Sequence, residues 1–174
     1  MFSNRDISKI ITLIGTSYSP GNTTLVAIDG LGGSGKSTLA AELLNSLDTT
    51  TQFTYVKDMS CSLTRVHQMM TLQQKTIVCV DDFYNSLNDN PNAELPPGEG
   101  YNQYFNWLSL RDNVLTPLSQ GRHALYKRYD WVTDQFTELR RVNPSGIVIV
   151  EGVYSTRPEL SKFYGVTIYV DTPK

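Results

Sequence analysis

The sequence runs to 174 residues, a length that suits one α/β domain with a sizeable core. Its 15 Lys and Arg against 17 Asp and Glu give a formal charge of −2 without any basic tract, which argues against a sequence-independent grip on nucleic acid. No apolar run approaches the ~20 residues of a membrane span, so the expectation is a cytoplasmic protein with neither nucleic acid nor membrane as partner.

The first residues, with Asn4, Arg5, Asp6 and Lys9, do not read as a secretory leader. Ile7, Ile10, Ile11 and Ile14 recur at helical spacing and predict an amphipathic helix over 5–17, packed on the core or offered to a partner. Ser19-Pro20-Gly21-Asn22 is a turn. An apolar strand then starts near Leu25 and opens into a glycine-rich loop. Gly30, Gly35, Lys36 and Ser37 fit the phosphate-loop pattern G-x-x-x-x-G-K-S/T. Phosphate oxygens must lie against backbone N–H groups, and glycine removes the side chains that would intervene. The helix that begins near Lys36 adds its free N–H groups and positive dipole end. Lys36 offers a cation to the β- and γ-phosphates and Ser37 a hydroxyl to Mg²⁺. The expected nucleotide-binding set is Gly30, Gly32, Gly33, Ser34, Gly35, Lys36, Ser37 and Thr38.

Leu39, Ala40, Leu43, Leu44 and Leu47 carry the helix to about 47. Residues 48–51 read as a loop, Phe53, Tyr55 and Val56 as a short strand, and 62–72 as a helix with Leu63, Val66, Met69 and Met70 inward. Cys61 and Cys79 lack C-x-x-C spacing and read as ordinary thiols of a reducing compartment. Residues 76–80 form a buried parallel-type strand that ends in Asp81-Asp82-Phe83-Tyr84. Carboxylates there face the crevice in which α/β sheets bind ligands. Residues 85–103, rich in Asn, Pro, Gly and Glu, are a long loop of the lid or binding type.

Trp107–Ser119 has helical spacing, with Pro117 expected to end or kink it. Residues 123–129 and 135–142 predict a two-stranded flap whose Tyr126, Tyr129 and Trp131 either stack on a flat ring or cover the sheet edge. Residues 146–150 form a second buried strand, ending in Glu151, an acidic residue placed to hold Mg²⁺. A last strand covers 166–171. The alternation of strand and helix patterns predicts a mostly parallel sheet flanked by helices.

Taken together, Ile28-Asp29-Gly30 to Thr38, Asp81-Asp82-Phe83-Tyr84, the 110–118 stretch, Tyr129-Asp130-Trp131, Val150-Glu151-Gly152-Val153-Tyr154 and Val170-Asp171-Thr172-Pro173 resemble the uridine kinase family, in family order. The resemblance implies a P-loop NTPase fold of the nucleoside/nucleotide-kinase type, with 1–174 as one domain: the 5–17 helix, then a family-like core over 22–174. It implies transfer of the ATP γ-phosphate, with Mg²⁺, to a hydroxyl of a nucleoside or similar acceptor. Asp81 matches the catalytic base, and Lys36 the catalytic cation at the phosphates. Ser37 and Glu151 match the metal site, and Tyr84 and Tyr129, with Asp82, the acceptor pocket. Asn106 stands where uridine kinases carry an Asp for the ribose hydroxyls, and Asp134 where they place a His near the base. The family continues past Asp-Thr-Pro into an arginine-bearing lid, and the expectation is that this lid is absent from the chain. Arg140, Arg141 and Arg157 read as solvated surface arginines. Three alternatives stay open: a kinase of another hydroxylated metabolite, a non-catalytic nucleotide-binding regulatory module, and an NTPase switch. The oligomeric state, a homo-oligomer included, is also open.

Overall fold

The computed structural model describes residues 2–47, 55–59, 62–66, 75–86 and 103–171. Helix α1 (Asn4–Ser17) begins where the Ser3 hydroxyl accepts the Asp6 N–H, and it buries Ile7 and Ile14. Strand β1 (Thr23–Gly30) leads into the glycine loop, and α2 (Lys36–Ser46) leaves it. Strands β2 (Tyr55–Met59) and β3 (Ser62–Val66) pair antiparallel as a separate hairpin. The helix expected over 62–72 is therefore not formed at 62–66, and 67–72 lie outside the described residues. Leu63 and Val66, three apart, imitate a helical face in a short window. The β-branched Thr64 and Val66, and a partner strand only two residues upstream, favour the extended backbone instead.

Strand β4 (Lys75–Cys79) runs into a 3₁₀ turn, Val80–Phe83. The stretch from Trp107 is helical throughout, as α3 (Trp107–Leu110), a π turn (Arg111–Leu115) and α4 (Thr116–Ser119). The wide turn is how the chain absorbs Pro117. The Thr116 N–H reaches back five residues to the Arg111 carbonyl, which opens the spiral where the proline offers no donor and its ring needs room. Strands β5 (Ala124–Asp130) and β6 (Gln135–Val142) form the expected antiparallel flap, followed by β7 (Gly146–Glu151) and β8 (Val166–Val170).

The central sheet has the order β4-β7-β1-β8, and all its pairings are parallel. Side-chain alternation divides its two faces. Val26, Ile28, Ile147 and Ile149 pack with Ile7, Ile14, Leu39 and Leu43 of α1 and α2. Leu25, Val148 and Val150 pack with Leu110, Val114, Leu115 and Leu118 of the π-interrupted helix and with Ala124 and Tyr126 of the flap. Strands covered on both faces read as continuous apolar runs, which is why 25–28 and 147–150 lack polar alternation. The register sets Ile28 and Cys79 on either side of Glu151, so the carboxyl ends of β1, β7 and β4 stand side by side. Among the described residues, no helix is long and apolar enough to cross a membrane.

Candidate active site

The loop after β1 is shaped to leave room. Gly35 sits at φ 92 in the left-handed region and precedes α2 without a side-chain cap, so the first N–H groups of that helix face outward uncapped. Lys36 is buried and its Nζ donates to the Leu31 carbonyl at 2.7 Å, folding the cation back along the loop. The Ser34 hydroxyl is buried with no hydrogen-bond partner among the described residues. A loop that holds a buried ammonium, an unsatisfied hydroxyl and uncapped helix N–H groups fits a polyanion, since each of these groups lacks a negatively charged acceptor.

Ser37 ties this loop to the next strand. Its hydroxyl donates to Glu151 Oε2 at 3.1 Å, and the Cys79 thiol donates to Oε1 at 3.2 Å. One carboxylate thus links α2, β7 and β4. Burial, with the Glu151 carboxylate next in effect, pushes the Cys79 thiol up to about 12. The chain turns away at Gly152, whose φ of 146 and close approach to Val80 exclude a side chain: a Cβ there would lie 2.5 Å from Val80 Cβ.

Asp29, which the sequence reading placed only inside a motif, anchors this turn. Its buried carboxylate accepts the Gly30 N–H (2.7 Å) and Tyr154 N–H (3.1 Å) on Oδ1, and the Thr156 N–H (3.0 Å) and hydroxyl (2.6 Å) on Oδ2. The signal available in the sequence was an acidic residue between an apolar run and the glycine loop, where a buried charge needs donors.

Asp81 and Asp82 diverge after β4. Asp81 is exposed and, with Cys79, Asp82, Arg128, Tyr129, Trp131 and Arg140, lines a cleft of about 310 Å³. Asp82 is buried. Tyr126 donates to it at 3.3 Å, and Arg128 and Arg140 approach it at 3.4 and 3.7 Å. Burial raises its carboxyl above the ordinary range, opposed by Arg140 and Arg128. Tyr84 packs on Trp131 at 4.4 Å between ring centroids. Tyr129 is buried, and its hydroxyl donates to Asp134 at 2.6 Å. Asp134, at the flap tip with φ 51, also accepts from Ser86 at 3.1 Å. Asn106 is set one step back. Its Oδ1 caps α3 by accepting the Ser109 N–H at 3.0 Å, and its Nδ2 donates to Asn85 at 2.9 Å.

Two arginine expectations are corrected. Arg157 is buried, with bonds of 2.9 and 3.0 Å to Glu159 and its guanidinium 4.6 Å from the Trp107 ring centre. Arg140 lines the cleft. The indole face and the carboxylate together make Arg157 tolerable inside. Arg141 remains a surface residue, held to His123 at 2.9 Å.

Two solved structures share this fold over nearly the whole chain. A possible uridine kinase of Bacillus stearothermophilus aligns at 21% identity and a TM-score of 0.71, covering 97% of this chain and 82% of that one. A protein described as a fructose transport system kinase of Silicibacter sp. TM1040 aligns at 19% identity and 0.67, covering 96% and 75%. At these identities the likeness concerns the fold: a P-loop NTPase-like architecture with a mostly parallel sheet flanked by helices. The family model described as NB-ARC domain matches residues 4–97, which include α1, the glycine loop, α2 and Asp81. With more than half of its length matched, the chain belongs to the NB-ARC domain family, a family of P-loop NTPases.

Proposed function

We propose that the protein is a Mg²⁺- and ATP-dependent kinase that phosphorylates a hydroxyl of a small metabolite. What supports this best is the unbroken path from the glycine loop, through the Ser37–Glu151 contact, to a cleft bearing the exposed Asp81. Gly30 to Thr38 would bind the nucleotide phosphates, with Lys36 against the charge that builds on the transferred group. Ser37 and Glu151 would hold Mg²⁺, which supplies charge neutralisation at the phosphates. Asp81 would take the acceptor's hydroxyl proton as its oxygen bonds to phosphorus and ADP departs. Tyr84, Tyr129 and Trp131 would form the wall against which the acceptor lies, with Asp134 fixing Tyr129, Asp82 holding Arg128 and Arg140 beside it, and Asn106 setting the start of α3 behind it. A nucleoside is the acceptor suggested by the sequence motifs.

The family match favours a second reading, a P-loop NTPase that hydrolyses its nucleotide without an acceptor. ADP release with Mg²⁺ and ATP across nucleosides and other hydroxylated metabolites, beside an acceptor-free control, separates the two. Acceptor-dependent release is expected. Release at the same rate in the control would refute the kinase and favour the hydrolase.

A further inference from the structure

Two arginines of the flap reach the Asp81 cleft, and they differ in how fully they are engaged. Arg140 bonds Glu138 through Nε and Nη2 at 2.9 and 2.6 Å. Arg128 makes only long ion pairs, 3.4 Å to Asp82 and 3.9 Å to Glu138, and no side-chain hydrogen bond among the described residues. Its side chain is 51% exposed. The ladder geometry sets its direction: the β5–β6 register slips between Lys127 and Tyr129, where two residues of β6, Thr137 and Glu138, stand opposite the single residue Arg128, and the in-out alternation of β5 breaks at the same point. Bulges re-aim side chains in this way. The cleft wall therefore carries a planar fork of five N–H donors, held at its root by Asp82 and not saturated. Beside it stands Trp131, 49% exposed.

We infer that Arg128 is a specificity residue that binds an anionic group of the acceptor, so that the acceptor is a hydroxylated metabolite carrying a carboxylate or a phosphate. The inference rests on the kinase proposed above. Guanidinium forks match both oxyanions through paired hydrogen bonds. Arg140 offsets part of the negative field of Asp81 and Asp82, so an anion at the Arg128 end and a hydroxyl at the Asp81 end are compatible within one cleft. A cleft of about 310 Å³ lies at the lower end of the range for small-molecule sites, which suits a sugar acid or sugar phosphate.

The test uses charge-matched pairs, gluconate with sorbitol and ribose 5-phosphate with ribose, on the wild type, Arg128→Gln and Arg128→Lys. Binding is read by calorimetric titration without nucleotide, and turnover by ADP release. At least one anionic member should bind tenfold or more tighter than its neutral twin, and which pair responds tells carboxylate from phosphate. Arg128→Gln should remove that preference, mainly through KM, and Arg128→Lys should restore part of it. Neutral twins that bind as well as both anions, or a preference that survives Arg128→Gln, would overturn the inference. Arg128-dependent anion binding without any acceptor-dependent ADP release would keep the anion site and sink the kinase. Turnover of neutral nucleosides indifferent to Arg128→Gln would keep the kinase and sink the anion site.

Discussion

Asp29→Asn is the sharpest perturbation of the site's scaffold. The carboxylate accepts four hydrogen bonds, three of them from Tyr154 and Thr156 in the segment that follows Glu151. An asparagine keeps the shape but replaces one acceptor oxygen with an NH₂ group. With the NH₂ at the Oδ1 position the Gly30 and Tyr154 N–H groups both face a donor; turned the other way the Thr156 N–H does, while the Thr156 hydroxyl can rotate to accept. Hydrogen bonds to a charged group are worth roughly 1.5–3 kcal/mol each, and a buried donor left unpaired costs about 1–3 kcal/mol. Allowing for relaxation at the partly buried Thr156, the substitution should cost about 3 kcal/mol. For a chain of this size that is a fall of roughly 6–12 °C in Tm. Urea titration followed by tryptophan fluorescence at pH 7 measures it directly. Thr156→Ala, which removes the hydroxyl together with the γ-methyl, should cost about 1 kcal/mol, and the double variant should fall short of the sum, because the two changes share a bond. A wild-type urea midpoint for Asp29→Asn, or full additivity with Thr156→Ala, would refute the claim that this carboxylate anchors the turn.

Asp81→Asn should lower kcat by roughly 10²–10⁴-fold, the usual range for a lost general base, while nucleotide affinity measured by titration stays within about threefold; turnover that survives would remove Asp81 from the base role. Glu151→Gln should raise the Mg²⁺ concentration for half-maximal ADP release about tenfold or more, in line with losses on removing one member of a metal's surroundings; an unchanged Mg²⁺ dependence would place the metal elsewhere. The hydrogen bond from Arg157 holds the Glu159 carboxyl down at about 2, against 4.5 ordinarily. A depressed carboxylate stabilises the fold above its unfolded value and loses that effect as pH falls through the folded one. The urea midpoints of wild type and Glu159→Gln should therefore differ at pH 6 and converge towards pH 2, and a gap that stays constant would refute the pairing.

Much of this arrangement could be read from the sequence because it is local. The glycine loop and its flanking strand and helix lie within residues 25–47, and backbone chemistry alone dictates glycine, lysine and serine there. The buried strands 25–28 and 147–150 announce themselves because both faces are covered. The hairpin at 55–66 was harder, since Leu63 and Val66 satisfy a helical spacing over so few residues, and only the pairing with 55–59 decides. Arg157 misled for a related reason: its burial depends on Trp107, fifty residues upstream, and nothing near it in sequence advertises an aromatic face.

The same distinction explains why the cleft was only half legible. Asp81 could be placed because a strand's end has one location in a parallel sheet. Which flap residues face Asp81 depends on pairing register, and a one-residue slip exchanges the two faces of a strand. Simple alternation from the buried Tyr126 would put Arg128 on the inner face and Tyr129 on the outer. In the structure Tyr126 and Tyr129 are both buried, with Lys127 and Arg128 exposed between them. The extra residue lies in β6, opposite Arg128, and the local twist it adds lets β5 present two aromatic rings to the interior and a guanidinium to the cleft wall. Regular pairing would surrender one of those tyrosines to keep the arginine. Deleting Arg128 would not restore regular pairing, because it would leave Thr137 and Glu138 facing no β5 residue and would shift Tyr129 off Asp134 as well, so the arginine's chemistry has to be tested by substitution.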